Sequence, residues 1–246
     1  MNDSWKIAIL GGGVGAALVL VVAFGAAALG VAPFAANGSE MHAYLLAHPD
    51  IIVEMSNRLQ AQQDEEQDKD RQAAVNKLKM KAYFDPRVAF VTGPANAKIS
   101  VVEFFDYNCP YCRASVPALK KFYETHKDAR FAFIEFPIKG PKSTMAARAA
   151  MAARQQPDKY IAFHFALMNE DGPVDQNAVF AMAKKTGLDV AKLKADMTSP
   201  SVDYALAAAH TLAQASGIDG TPAFIVNGKI REGAVTDDDL ARMAKT

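Results

Sequence analysis

Residues 101–113, V-V-E-F-F-D-Y-N-C-P-Y-C-R, join two side-chain patterns that belong to different secondary structures. Val101, Val102, Phe104 and Phe105 have the β-branched and aromatic make-up and the length of a buried strand, which ends at Asp106, Tyr107 and Asn108. Cys109 and Cys112 follow at once and are the only cysteines of the chain. They sit where the strand gives way to a helix whose first turn is Pro110, Tyr111 and Cys112, and Pro110 suits that turn because it has no N–H to leave unsatisfied. A sulfur at a helix N-terminus faces unpaired backbone amides and the positive end of the helix dipole, so its anion is stabilised. Thiols so placed titrate at about 3.5 to 7.5 rather than about 8.5. On this pattern Cys109 is the nucleophile, and Cys112, one turn inward, is the resolving thiol that ejects a mixed-disulfide partner.

Three other uses of a C-x-x-C pair fit less well. A zinc site needs further ligands, and although His126 stands at a plausible separation from Cys112, no second histidine follows it at finger spacing. Covalent haem attachment requires histidine directly after the second cysteine, where Arg113 stands. A structural disulfide across so short a loop removes little entropy from the unfolded chain. Redox chemistry is therefore the strongest reading, with no metal site and no cofactor beyond the Cys109–Cys112 disulfide itself.

The chain has 246 residues, half of them hydrophobic, and 27 acidic residues balance 27 basic ones. That balance gives no reason to expect a nucleic-acid partner. The charge is unevenly placed, because residues 7–39 contain no Asp, Glu, Lys or Arg, and residues 7–36 are almost continuously apolar. A bilayer needs about 20 apolar residues in a helix, so residues 1–36 are expected to form a transmembrane signal anchor with Lys6 on the cytoplasmic side. The alternative is a cleaved signal peptide, with Ala28, Leu29 and Gly30 as a small-x-small cleavage site. Either way the remainder is exported, and in an oxidising compartment a lone vicinal cysteine pair reads as a catalyst.

Residues 37–82 read as a helical stalk. Ser39 can cap a short helix through Ala47, and Pro49 can open a second one that shows Ile52, Met55 and Leu59 at i, i+3 and i+7, turns polar, and regains Val75 and Leu78 before ending near Ala82. The stalk is either a solvated spacer or a segment through which Tyr44, Leu45, Ile52, Met55 and Leu59 meet other copies of the chain. Residues 83–246 carry the remaining pattern: a strand at 99–105, the cysteine helix to about 127 with Pro117 inside it, and a strand at 130–136. Helices broken at Pro157, Gly172, Pro173, Gly187 and Pro200 follow, then strand 223–226, an Asn227-Gly228 hairpin turn, strand 229–231 and a helix from Thr236. A β-α-β unit, inserted helices and a closing β-β-α is an α/β thioredoxin fold with a helical insertion. His164, among Phe163, Phe165 and Leu167, reads as a residue at the edge of the core.

The string E-F-F-D-Y-N-C-P-Y-C resembles the active-site segment of the DsbA-like family of exported thiol-disulfide oxidoreductases. L-L-A-H-P-D-I-I-V-E-M, G-P-A-N-A-K-I-S-V-V-E and F-P-I-K-G-P-K-S are most similar to its ScsC branch, named for suppression of copper sensitivity, and the resemblance covers about residues 41–246. It implies that Glu103, six residues before the nucleophile, is a buried acid that relays the proton of Cys112. It also implies that Thr221 and Pro222 form a cis-proline loop facing the cysteines and pairing with substrate backbone, whereas Asp106 receives no role. Tyr111 stands where strong oxidases carry histidine, so Pro110 and Tyr111 should tune the site to a less oxidising couple. The implied activity is disulfide exchange or isomerisation on exported proteins, with a membrane redox partner (a DsbD- or ScsB-like reductant, or a DsbB-like oxidant); a homotrimer is the assembly that self-association of the stalk would give. The alternatives are a dithiol oxidase of the DsbA type and a Cu(I)-binding protein of copper tolerance, two thiolates being soft ligands.

Overall fold

The computed structural model describes residues 38–245, which divide into two compact units between Gln62 and Gln63. No helix among the described residues is long and apolar enough to cross a membrane, and the expected anchor at 1–36 lies outside them.

The first unit holds α1 (Gly38–Ala47) and the opening turns of α2 (Asp50–Leu78). None of α1 is buried, and Met41, Tyr44, Leu46, Ile52, Val53, Met55 and Leu59 are all exposed.

The second unit begins within α2, so it takes in residues that the sequence pattern assigns to the stalk. Arg71 donates from Nε to the Gly217 carbonyl at 3.3 Å, and the Gln72 carboxamide bonds to Gly228 O at 2.7 Å and Ile230 N at 3.1 Å. Val75 is buried among these neighbours. The helix stops at Leu78 rather than near Ala82: Lys79 has φ 61°, and a 3-10 turn, Met80–Phe84, follows. The early stop turns Tyr83 and Phe84 inward, and the Tyr83 hydroxyl meets Ser216 Oγ at 2.8 Å.

Five strands form one sheet in the order β1-β3-β2-β4-β5, made of β1 (Phe90–Thr92), β2 (Ser100–Phe105), β3 (Arg130–Glu135), β4 (Ala223–Val226) and β5 (Lys229–Glu232). β2 and β3 are parallel and joined through α3 (Pro110–Thr125), while the other pairings are antiparallel. β1 is an addition to the sequence-derived pattern. Its three residues are too few for a periodicity, and pairing with β3 makes it a strand. At the β4–β5 turn Asn227 has φ 50° and Gly228 φ 84°, the two positive values that a tight hairpin of this hand requires.

Strand alternation sorts the sheet into two faces. Val101, Phe105, Phe131, Phe133, Phe224 and Val226 pack under α3 and the inserted helices, whereas Val102, Phe104, Ala132, Ile134, Ala223 and Ile225 pack against Val75, Tyr83, Phe84, Ala209 and Ala213. The insertion comprises α4 (Pro141–Ala153), α5 (Pro157–Met168), α6 (Gln176–Lys185), α7 (Val190–Asp196) and α8 (Pro200–Ala215). Proline opens α4, α5 and α8, where a missing N–H costs nothing, and the side chains of Asp175, Asp189 and Ser199 cap α6, α7 and α8. Six alanines of α4 are buried, which lets α5, α6, α7, α8 and β3 all approach that helix. The last helix, α9 (Asp237–Ala244), begins with a reciprocal Thr236–Asp239 capping box.

Candidate active site

β2 ends at Phe105, three residues turn the chain, and Cys109 is the N-cap of α3 with an extended backbone (φ −84°, ψ 120°). Pro110 is the first residue of the helix, and Tyr111 projects outward, 64 % exposed. Both cysteines are free thiols and both are covered, at 1 % and 0 % exposure, so their chemistry differs through neighbours rather than access. The Cys109 thiol is held down to about 5, first by a hydrogen bond from the Cys112 thiol. Burial opposes this, and the Thr221 side chain and the backbone amides of Cys112 and Tyr111 add to the lowering. Cys112 moves the other way: desolvation is the chief cause, and the hydrogen bond to Cys109 and the charge of Glu103 push it further up. The Asp106 amide donates to Cys112 Sγ at 3.5 Å. One sulfur is thus arranged to carry charge at neutral pH and the other to keep its proton.

The Thr221–Pro222 peptide is cis, and Cys109 Sγ donates to the Thr221 carbonyl at 3.1 Å. That contact holds the neutral thiol, and the Thr221 hydroxyl is buried with no hydrogen-bond partner. Glu103 lies between Val101 and Phe105 on the cysteine side of the sheet, 2 % exposed, with Oε2 unpartnered. Burial pushes its carboxyl up to about 8.

The structure also recruits residues that the sequence left without a role. Asp106 is 1 % exposed and accepts from Asn108 N and Ser143 Oγ at 2.7 Å and from Ile138 N and Lys139 N at 2.8 Å. Its local signal is the Asp-x-Asn spacing of a side-chain turn, but its other partners arrive from more than thirty residues away. His164 is not at the edge of the core. It is 1 % exposed, and burial lowers it to about 3, so it is neutral. Its Nδ1 lies 3.1 Å from the Tyr107 hydroxyl, which donates to Glu135 Oε1 at 3.2 Å, while the Tyr160 hydroxyl donates to the same oxygen at 3.4 Å. Burial raises Glu135 well above the ordinary carboxylate range. Among the described residues no group of three or more His, Cys, Asp or Glu side chains converges as a metal site.

Residues 100–245, more than half of the chain, match the family described as DSBA-like thioredoxin domain, and residues 38–66 match the Copper resistance protein ScsC N-terminal domain. Among curated relatives, the thiol:disulfide interchange protein DsbA of Bordetella parapertussis is 33% identical over 139 residues, covering 54% of this chain and 65% of that protein. The Na(+)/H(+) antiporter NhaA 3 of Salinispora tropica is 28% identical over 159 residues, which are 64% of this chain but only 24% of the antiporter. Among solved structures, a thioredoxin-like oxidoreductase from Silicibacter pomeroyi is 40% identical with a TM-score of 0.63, covering 67% of this chain and 95% of that one. Proteus mirabilis ScsC in a transitional conformation is 29% identical with a TM-score of 0.62, covering 86% of this chain and 94% of its own.

Proposed function

This chain belongs to the DSBA-like thioredoxin-domain family, and from that membership we propose that it is a thiol-disulfide oxidoreductase that exchanges and isomerises disulfides in exported proteins. The reading is carried by the opposed pKa shifts of two adjacent sulfurs, Cys109 downward and Cys112 upward, beside the Thr221 carbonyl. The Cys109 thiolate attacks one sulfur of a substrate disulfide. That S–S bond breaks, a mixed disulfide forms, and one substrate thiolate leaves. Cys112 then gives its proton to Glu103 and attacks Cys109 Sγ, which releases the second substrate thiolate, oxidises the enzyme and reduces the substrate. In isomerisation a substrate thiol attacks the mixed disulfide instead and returns Cys109 as thiolate. Glu103 suits the proton step because a carboxyl near pH 8 exchanges protons readily under neutral conditions. Thr221 and Pro222 supply the backbone edge for the substrate, and Pro110 and Tyr111 shape the nucleophile's turn.

The proposed setting is the periplasm, with the apolar residues 7–36 as an inner-membrane anchor or a cleaved signal, a membrane-bound reductant or oxidant as partner, and the exposed apolar residues of α1 and α2 as a self-association segment. Refolding of a scrambled-disulfide protein tests the activity. Cys109→Ala should abolish it, and Cys112→Ala should accumulate a mixed disulfide; full activity of Cys109→Ala would end the reading. A second reading is Cu(I) binding by the two thiolates, which are soft ligands, prompted by the copper-resistance name of the family matched at residues 38–66, a stretch without cysteine. Competition with a chromogenic Cu(I) chelator tests it, and equal retention of copper by the double-alanine variant would rule it out.

A further inference from the structure

Three polar side chains next to the cysteines take no part in the exchange chemistry, yet each reaches from the catalytic loop into the helical insertion. The Asn108 carboxamide forms a two-point pair with one backbone unit: Val174 N donates to Oδ1 at 2.8 Å, and Nδ2 donates to Val174 O at 3.4 Å. The same Nδ2 donates to Ser143 Oγ at 3.2 Å, and Ser143 donates to Asp106 Oδ1 at 2.7 Å. Arg113 donates from Nε to the Tyr107 carbonyl at 3.0 Å and from Nη2 to the Gly172 carbonyl at 2.8 Å. The residue before the nucleophile and the residue after the resolving cysteine therefore hold one strap, residues 172–174, from its two ends.

We propose that Asn108 and Arg113 are positioning residues, which use the strap at 172–174 to keep the Cys109 sulfur in line with the donors on Tyr111, Cys112 and Thr221. The proposal rests on the exchange reading and extends it, because it places control of the nucleophile in the insertion rather than in the C-x-x-C turn alone. Hydrogen bonds weaken steeply with misdirection, so a nucleophile whose preceding loop swings loses part of the stabilisation of its anion. Within the loop itself only the Cys109 N to Asp106 O bond, at 3.0 Å, and the Asn108 N to Asp106 Oδ1 bond, at 2.7 Å, resist that swing. The Asp106 and Tyr107 side chains anchor the start of the loop, and the braces from Val174 and Gly172 hold its end. A purely structural role makes a different prediction: the same contacts would fasten the insertion to the sheet and leave the sulfur unaffected.

The test is the pH dependence of iodoacetamide alkylation of the reduced full chain, compared among wild type, Asn108→Ala, the milder Asn108→Ser, Arg113→Ala and Arg113→Lys, with thermal melting followed by circular dichroism. For folded Asn108→Ala and Arg113→Ala the midpoint should rise by about one pH unit, so alkylation at pH 4 slows about tenfold. Glutathione equilibria should shift toward the oxidised form. Arg113→Lys should behave as Arg113→Ala, since an ammonium cannot span both carbonyls. If Arg113→Lys restores the wild-type profile, charge rather than positioning is responsible and the proposal falls. Lower melting temperatures with unchanged midpoints also overturn it, and Asn108→Ser decides the matter if Asn108→Ala does not fold. A wild-type thiol that ionises near the ordinary value of about 8.5 would defeat the exchange reading itself, whereas an acidic wild type with unmoved variants defeats only the brace.

Discussion

At Cys109 two sources of anion stabilisation coincide, and their order matters. Amides at the start of α3 contribute, but the first cause of the raised acidity is the neighbouring Cys112 thiol. Cys112→Ala should therefore raise the alkylation midpoint of Cys109 from about 5 toward the ordinary thiol range, even though the helix start is intact. Glu103 offers a second measurement. Its carboxyl ionises near 8 in the folded protein against an ordinary 4.5, so between those values the folded chain still holds a proton that the unfolded chain has released. Stability from this residue is therefore greatest below about pH 4.5 and falls as pH rises toward 8. Glu103→Gln removes the cost of the buried charge, and chemical denaturation should show it more stable than wild type by about 3 kcal/mol at pH 7, with the difference vanishing near pH 4. An equal difference at both pH values would contradict burial as the cause.

Among the elements, the turn between β2 and α3 depends on Asp106 more than on its own backbone. Asp106→Ala would orphan the amides of Ile138 and Lys139 and take the acceptor from the Ser143 hydroxyl. A buried group left unpaired costs about 1 to 3 kcal/mol; the two amides are only part-buried and Ser143 keeps Asn108 as a partner, so urea denaturation should show a loss of about 2 kcal/mol. β1 depends on Gly93, whose φ is 87° and where a Cβ would come within 2.1 Å of the Ala129 carbonyl. Gly93→Ala should pull β1 from β3, and faster hydrogen exchange at residues 90–92 and 131–133 would report it. The closing helix is fixed more locally: Thr236→Ala removes half of the capping box and should cost about 1 kcal/mol.

For the molecule as a whole, the open question is what covers the apolar residues of the first unit. Ile52 and Leu59 are 61 % and 57 % exposed, one face of α2 carries them, and a single chain gains nothing by wetting them. If these residues are the proposed self-association segment, sedimentation of residues 38–246 should give a multiple of the mass of one chain, about threefold for a homotrimer. Replacing Ile52 and Leu59 by Asp should return the mass to that of a monomer, with the melting of the second unit unchanged. A monomeric wild type would leave the spacer reading of α1 and α2 in place.

The residues of 101–113 were enough to place a thiol pair at the head of a helix, because a strand pattern, a proline and two cysteines are local signals read within a few turns of chain. The thioredoxin arrangement, the inserted helices and their breaks at prolines and glycines were legible for the same reason, and the cis proline, Glu103 and Thr221 followed from the resemblance. Tertiary structure alone decided the rest. β1 exists because β3 offers it an edge, α2 ends early because Lys79 turns Tyr83 and Phe84 into the core, and His164 is neutral because five aromatic rings enclose it. Asp106 and Asn108 gained their roles from Ser143 and Val174, partners far off in sequence. A hydrogen bond depends on where two groups meet in space, and no period in the sequence records that meeting.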